Sequence, residues 1–177
     1  MNPKKTGFAL IGAGIFGQHH AQAYGRHWAV DFVSVCDLDG ERAHEIAQLH
    51  GARMSTTDYT ELLENPDIEA ISIATPDHLH REIAVACAKA GKHLLIEKPL
   101  ATTVEDTQAI LDTANASGIK LMVDFHNRVN PAMVNAREAI RRGHIGRPAY
   151  IYSRLSNTTM VSTDMLRWVK MNGLDFL

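Results

Sequence analysis

Five short apolar runs punctuate the first two thirds of the chain: Phe8–Ile11, Phe32–Cys36, Ala70–Ala74, His93–Ile96 and Lys120–Phe125. Each is continuous rather than alternating, as expected of a strand covered on both faces in a parallel sheet. Helical patterns lie between them. Leu79, Ile83 and Cys87 recur every four residues, with Ala86 and Ala90 beside them on one stripe. Thr102 and Glu105 are spaced as a capping box for the next helix. Three helices end alike, in "LHGA", "KAGKH" and "ASGIK", which place Gly51, Gly91 and Gly118 where a left-handed residue stops a helix. This alternation from residue 6 to about 125 predicts an α/β fold, a doubly wound parallel sheet.

Beyond Phe125 the texture changes. "NPAMVNAREAIRRGHIG" predicts an amphipathic helix opened by Pro131 and closed by Gly143, and "RPAYIYSRLSNTT" alternates like a strand with one exposed face. The final "MVSTDMLRWVKMNGLDFL" carries no clear element. The expected organisation is a dinucleotide-binding domain over 1–126 and the opening of a second domain over 127–177. About 50 residues seldom bury a sufficient core alone. Apolar surface left uncovered there predicts association, and a homo-oligomer is expected.

Composition narrows the function. With 45% hydrophobic and 21% charged residues the chain can build a packed core, and a net charge of −2 with scattered Lys and Arg gives no reason to expect a nucleic-acid or membrane-surface partner. No apolar run reaches the length of a membrane span, and the N-terminal apolar stretch is too short for a secretory signal. Cys36 and Cys87 lie inside apolar segments and read as core thiols of a reducing compartment, so a cytoplasmic location is expected.

The chemistry starts at "FALIGAGIFGQHH", where Gly12-x-Gly14-x-x-Gly17 follows a strand and precedes a helix. The first glycine permits the tight turn, the second lets backbone approach a pyrophosphate, and the third lets helix and strand pack closely. The helix N-terminus adds free N–H groups and the positive end of its dipole. Asp37 ends the second strand about 20 residues later, where a carboxylate binds ribose hydroxyls and repels a 2′-phosphate, favouring NAD over NADP. Two other readings stay open here: a plain tight turn with Asp37 capping the next helix, or the glycine loop of a methyltransferase.

Ligands of open α/β sheets bind beyond the carboxyl ends of the strands. Polar groups gather at those ends: Gly12, Asp37, "ATPDHLH" (74 to 80), Glu97-Lys98 and "DFHNR" (124 to 128). For His78, His80, Asn127, Arg128 and Lys98 an ordinary surface role is the competing reading. His19 and His20 show no third ligand at metal-binding spacing, so no metal is expected.

Taken in order, "GAGIFGQHH", "ATPDHLH", "EKPLATT" and "DFHNRVNP" resemble the glucose–fructose oxidoreductase/inositol dehydrogenase/MocA (Gfo/Idh/MocA) family over nearly the whole chain. The resemblance implies an N-terminal Rossmann domain and an NAD(P)-dependent oxidoreductase acting on a sugar, cyclitol or related polyol. It implies that Gly12, Gly14, Ile15, Phe16, Gly17 and Asp37 hold the dinucleotide. Thr75, Pro76 and His80 would line the nicotinamide side, Glu97 would contact its ribose, and Arg128 joins the cofactor contacts. Lys98 would be the catalytic base, with burial and the nicotinamide charge favouring its neutral form. A cis Lys98–Pro99 bond is implied as well, and Asp77 departs from the family's usual Asn. The family's Gly-x-His-x-x-Asp segment has no counterpart, and its members are commonly longer. An N-terminal portion of such an enzyme, or a naturally shortened relative, is therefore expected. A non-catalytic dinucleotide-binding module or regulatory subunit is the alternative.

Overall fold

Six strands form one sheet, and every pairing in it is parallel. In chain order, the computed structural model, which describes residues 4–154, shows β1 (Thr6–Ile11), α1 (Ile15–Arg26), β2 (Val30–Cys36), α2 (Gly40–His50), β3 (Met54–Thr56) and α3 (Thr60–Glu64). These are followed by β4 (Ala70–Ile73), α4 (His80–Lys89), β5 (His93–Glu97), α5 (Val104–Ala116) and β6 (Leu121–Asp124). The spatial order is β3-β2-β1-β4-β5-β6. The chain winds outward from β1 to β3, then crosses back to β4 and winds out the other way. The connections after β1 and β4 thus diverge and open a crevice at the carboxyl ends of the strands. This is the doubly wound Rossmann arrangement that the alternating pattern predicts.

Strand side chains alternate between two buried layers. Ala9 and Ile11 of β1, Ile71 and Ile73 of β4, and Leu94 and Ile96 of β5 share one layer with Ile83, Ala84, Cys87 and Ala88 of α4 and Ile110 of α5. Leu10 of β1 and Phe32 and Val35 of β2 face the other way, against Ala21 of α1 and Ala43, Ile46 and Ala47 of α2. Ser72, between Ile71 and Ile73, is fully buried on the α1 side.

Several local expectations need correcting. The buried stripe of α4 runs through Ile83, Ala84, Cys87 and Ala88, while Ala90 is exposed and Ala86 only half-buried. The N-cap of α5 is Thr103, whose side chain accepts the Asp106 N–H at 3.0 Å, and not Thr102. β6 is not covered on both faces: it lies at the sheet edge, and its Met122 is exposed. β3, three residues long with no apolar run, lies at the other edge beside β2. Gly51, Gly91 and Gly118 do adopt positive φ after their helices.

The chain divides after Phe125 into two units. The described part of the second begins with a 3-10 turn at His126–Arg128 and continues into α6 (Pro131–Arg141). Asn130 caps α6 by accepting the Ala132 N–H at 3.0 Å, and Gly143 has the positive φ expected of a helix stop. The strand anticipated in "RPAYIYSRLSNTT" is not formed over residues 147–154, which carry no regular structure; its last five residues lie outside the described ones. Among the described residues, no helix is long and apolar enough to cross a membrane.

Ile71 is fully buried in the centre of the sheet. Replacing it by Ala should lower the free energy of unfolding by about 2–5 kcal/mol, read from urea denaturation.

Candidate functional site

The glycine loop is shaped by close contacts. Gly12 has φ +94, and a Cβ there would lie 2.6 Å from the Ala74 carbonyl oxygen. A Cβ on Gly17 would lie 1.9 Å from the Gly12 carbonyl oxygen, so only glycine lets α1 sit this close to the end of β1. Gly14 differs: a Cβ there would meet nothing within 4 Å and would project into open space. Gly14 is the N-cap of α1, has no side chain to cap with, and the first turn carries no acidic residue. By contrast, α2 and α6 are capped by Asp39 and Asn130. The first N–H groups of α1 thus keep their capacity for an anion. Ile15 and Phe16 stand exposed beside them.

Asp37, at the end of β2, ties the loop to the sheet. Its Oδ2 accepts the Ala13 N–H at 2.7 Å, while its Oδ1 accepts the Asp39 N–H at 3.0 Å and an Arg42 guanidinium N–H at 2.7 Å. Burial pushes the Asp37 carboxyl up, but these three bonds and the Arg42 charge outweigh it and hold the group below its ordinary value. Asp37 does not cap α2; that role falls to Asp39, whose side chain accepts the Arg42 N–H. One oxygen of Asp37 is therefore already paired with a guanidinium, a contact that no spacing in the sequence announces.

Across the crevice, the Thr75 Oγ1 is buried and has no hydrogen-bond partner. Pro76 precedes a 3-10 turn at Asp77–Leu79. His80 is only 1% exposed, with Nδ1 at 2.9 Å from the Pro99 carbonyl and Nε2 at 3.1 Å from the Thr75 carbonyl. The ring thus sits between the loops after β4 and β5, and in its neutral form its single N–H donates to one of the two carbonyls and braces it. His78 is exposed beside Asp77.

Glu97 and Lys98 part company at the end of β5. Glu97 is only 6% exposed and turned inward: Oε1 lies 3.1 Å from His20 Nε2, and Oε2 accepts the Lys98 N–H at 3.2 Å. Lys98 is exposed, contrary to the expected burial, and its Nζ lies 5.5 Å from the centre of the Phe16 ring. The Lys98–Pro99 peptide is cis, as the resemblance implied. Asp124 of β6 lies 3.6 Å from the same His20 Nε2. His20 thus acquires two carboxylate neighbours that its sequence surroundings did not reveal, and the ligating atoms of all three lie within 4.8 Å of one another. Arg128 is exposed in the first turn of the second unit.

Residues 6–125, more than half of the chain, match the oxidoreductase family with an NAD-binding Rossmann fold, GFO_IDH_MocA. The chain belongs to this family. Levoglucosan dehydrogenase of Pseudarthrobacter phenanthrenivorans is 40% identical over 146 residues, 78% of this chain and 37% of that protein. Inositol 2-dehydrogenase of Rhizobium meliloti is 35% identical over 139 residues, 78% of this chain and 42% of its own. A solved levoglucosan dehydrogenase, in complex with NADH and levoglucosan, superposes with a TM-score of 0.76 at 38% identity, over 81% of this chain and 41% of that one. An oxidoreductase of Desulfitobacterium hafniense described as NADPH-dependent shares the fold at 24% identity. The chain spans about two fifths of the length of these relatives.

Glu97 makes acid stability a readout of the site. Burial pushes its carboxyl up, but the His20 hydrogen bond and charge, the Lys98 N–H and the Lys98 ammonium outweigh it, leaving the group below its ordinary value. A depressed folded value means that the unfolded chain binds more protons. The stabilisation is therefore present above an ordinary Glu value of about 4.3 and lost as pH falls through the lower folded value. Urea midpoints followed down to about pH 3 should fall less steeply in Glu97→Gln than in the parent.

Proposed function

We propose that the chain binds NAD across the crevice and supplies the dinucleotide-binding half, and the proton acceptor, of a sugar or polyol dehydrogenase. The observation that carries this reading is the geometry of the loop after β1. It combines an uncapped helix N-terminus, open space at Gly14, and Asp37 at the end of β2. The residues present fit the cofactor. The free N–H groups of α1 suit a pyrophosphate, and the orphaned Thr75 Oγ1 awaits a partner on the far side of the crevice.

In this reading, Gly12, Gly14, Ile15, Phe16 and Gly17 cradle the phosphates, and Asp37 receives the adenine ribose. Thr75 and Pro76 flank the nicotinamide side, with His80 and Glu97 as supports behind it. When bound, NAD supplies the hydride acceptor at its nicotinamide C4. Lys98, exposed at the end of β5, takes the proton of the substrate hydroxyl as the carbinol carbon becomes a carbonyl. The relatives' names support a sugar, cyclitol or related polyol as substrate. Two buried, unpaired cysteines suit a cytoplasmic protein, and the exposed apolar residues of the second unit, among them Ile145, Tyr150 and Ile151, suit assembly into an oligomer.

Calorimetry should register NADH binding to this chain, and an absence of heat would remove the reading. In the protein with its full substrate-binding portion, Lys98→Ala should abolish polyol-dependent NADH formation while leaving NADH affinity nearly intact. Undiminished turnover would rule out the base assignment, whereas NADH binding without any polyol-dependent turnover in the parent would favour a chain that only binds the dinucleotide.

Asp37 is the reason to propose NAD over NADP, and Arg42 tempers it. The guanidinium at 2.7 Å from Asp37 is positioned to pair with a 2′-phosphate once the carboxylate is gone. Asp37→Ser should shift the NADPH-to-NADH affinity ratio upward by roughly tenfold or more, about 1.4 kcal/mol, measured by fluorescence titration with each nucleotide.

A further inference from the structure

Two polar residues on the buried side of α1 lie outside the glycine loop. His20 and Tyr24 are four residues apart, hence neighbours on one face of the helix. Beneath them lie Ser72 of β4, Glu97 of β5 and Asp124 of β6. The Tyr24 hydroxyl is hydrogen-bonded to Ser72 Oγ, which lies 3.4 Å from His20 Nδ1. His20 Nε2 lies 3.1 Å from Glu97 Oε1. One direction of donation satisfies every member: Tyr24 O–H to Ser72, Ser72 O–H to Nδ1, and Nε2–H to Glu97. The sequence of bonds ends on the carboxylate whose other oxygen accepts the Lys98 N–H.

A polar chain in a buried layer calls for a physical reason, since apolar packing would stabilise the layer at least as well. Glu97 and Asp124 are register partners on adjacent strands, two carboxylates side by side. His20 Nε2 is the side-chain donor that faces both. Without it, Glu97 is free to turn toward solvent or toward Lys98, and its grip on the Lys98 backbone is lost.

We propose that His20 is a positioning residue for Lys98: by holding Glu97 Oε1 it keeps Oε2 on the Lys98 N–H, and so fixes the backbone from which the ammonium is presented to the crevice. The inference deepens the function proposed above and rests on it for its catalytic meaning, but not for its geometry.

The test exploits side-chain reach. The amide nitrogen of a glutamine at position 20 occupies about the place of Nε2 and can donate to Glu97; that of an asparagine reaches only about as far as Nδ1. His20→Ala and His20→Asn should move the Lys98 backbone amide resonance in ¹H–¹⁵N spectra, speed its hydrogen exchange and, because they release the backbone at the start of the loop after β5 whereas Lys98→Ala removes only a side chain, weaken NADH binding about tenfold. His20→Gln should restore all three, with affinity within roughly threefold of the parent. In a Glu97→Gln background, His20→Ala should cost less than about twofold further, because both changes remove one interaction. The proposal is overturned if asparagine restores as well as glutamine, if the Lys98 amide is unmoved in a folded His20→Ala chain, or if the two losses multiply. Should the alanine variant not fold, the glutamine and asparagine pair decides. A parent chain that binds no NADH would defeat the dinucleotide reading instead, and the Lys98 amide would still report on His20.

Discussion

The absence of a side chain at Gly17 is the constraint on which the site depends. It brings α1 within van der Waals reach of the Gly12 carbonyl, closer than any other residue allows. Two consequences follow along the same helix. Its N-terminus, uncapped and without acidic neighbours, is held at the rim of the sheet beside the crevice. One and two turns further on, His20 and Tyr24 are lowered onto β4 and β5, where they meet Ser72 and Glu97. The uncapped helix N-terminus and the polar support are therefore two parts of one packing contact.

The charged residues of the rim are engaged by the chain itself. Asp37 holds the glycine loop through Ala13, and Glu97 holds the start of the loop after β5 through Lys98. His80 lies between a carbonyl of that loop and one of the loop after β4, and its N–H holds one of them. Each group fixes backbone position, and a site whose supports are already bonded loses little conformational freedom when a ligand arrives. Lys98 is the exception. It projects from this scaffold with its ammonium 5.5 Å from the centre of the Phe16 ring, exposed as the proposed proton acceptor would have to be. Asp37 carries two loads, since the carboxylate that would receive a ribose is also the partner of Arg42.

Much of the architecture was legible in the chain because it rests on local signals. Apolar runs located five strands, and Gly51, Gly91 and Gly118 marked helix ends because positive φ is a property of single residues. Local signals also explain the failures. β3 escaped notice because three residues, Met-Ser-Thr, carry no hydrophobic pattern; pairing with β2 makes them a strand. Alternation in "RPAYIYSRLSNTT" suggested a strand, yet residues 147–154 form none, since a strand needs a partner as well as a pattern. The α5 cap lies one residue from its expected place because Thr102 and Thr103 compete for the same role, and the backbone conformation decides between them.

By itself, the sequence determined the doubly wound sheet, the glycine loop with Asp37, and the clustering of polar residues at the strand ends, because periodicity and turn chemistry act over a few residues. Tertiary structure decided what those polar residues do. It turned Glu97 inward and left Lys98 outside, placed Arg42 on Asp37, made His80 a brace, and gave His20 its carboxylate partners from strands far along the chain. These assignments depend on which groups burial brings within hydrogen-bonding distance, and separation along a sequence carries no record of that.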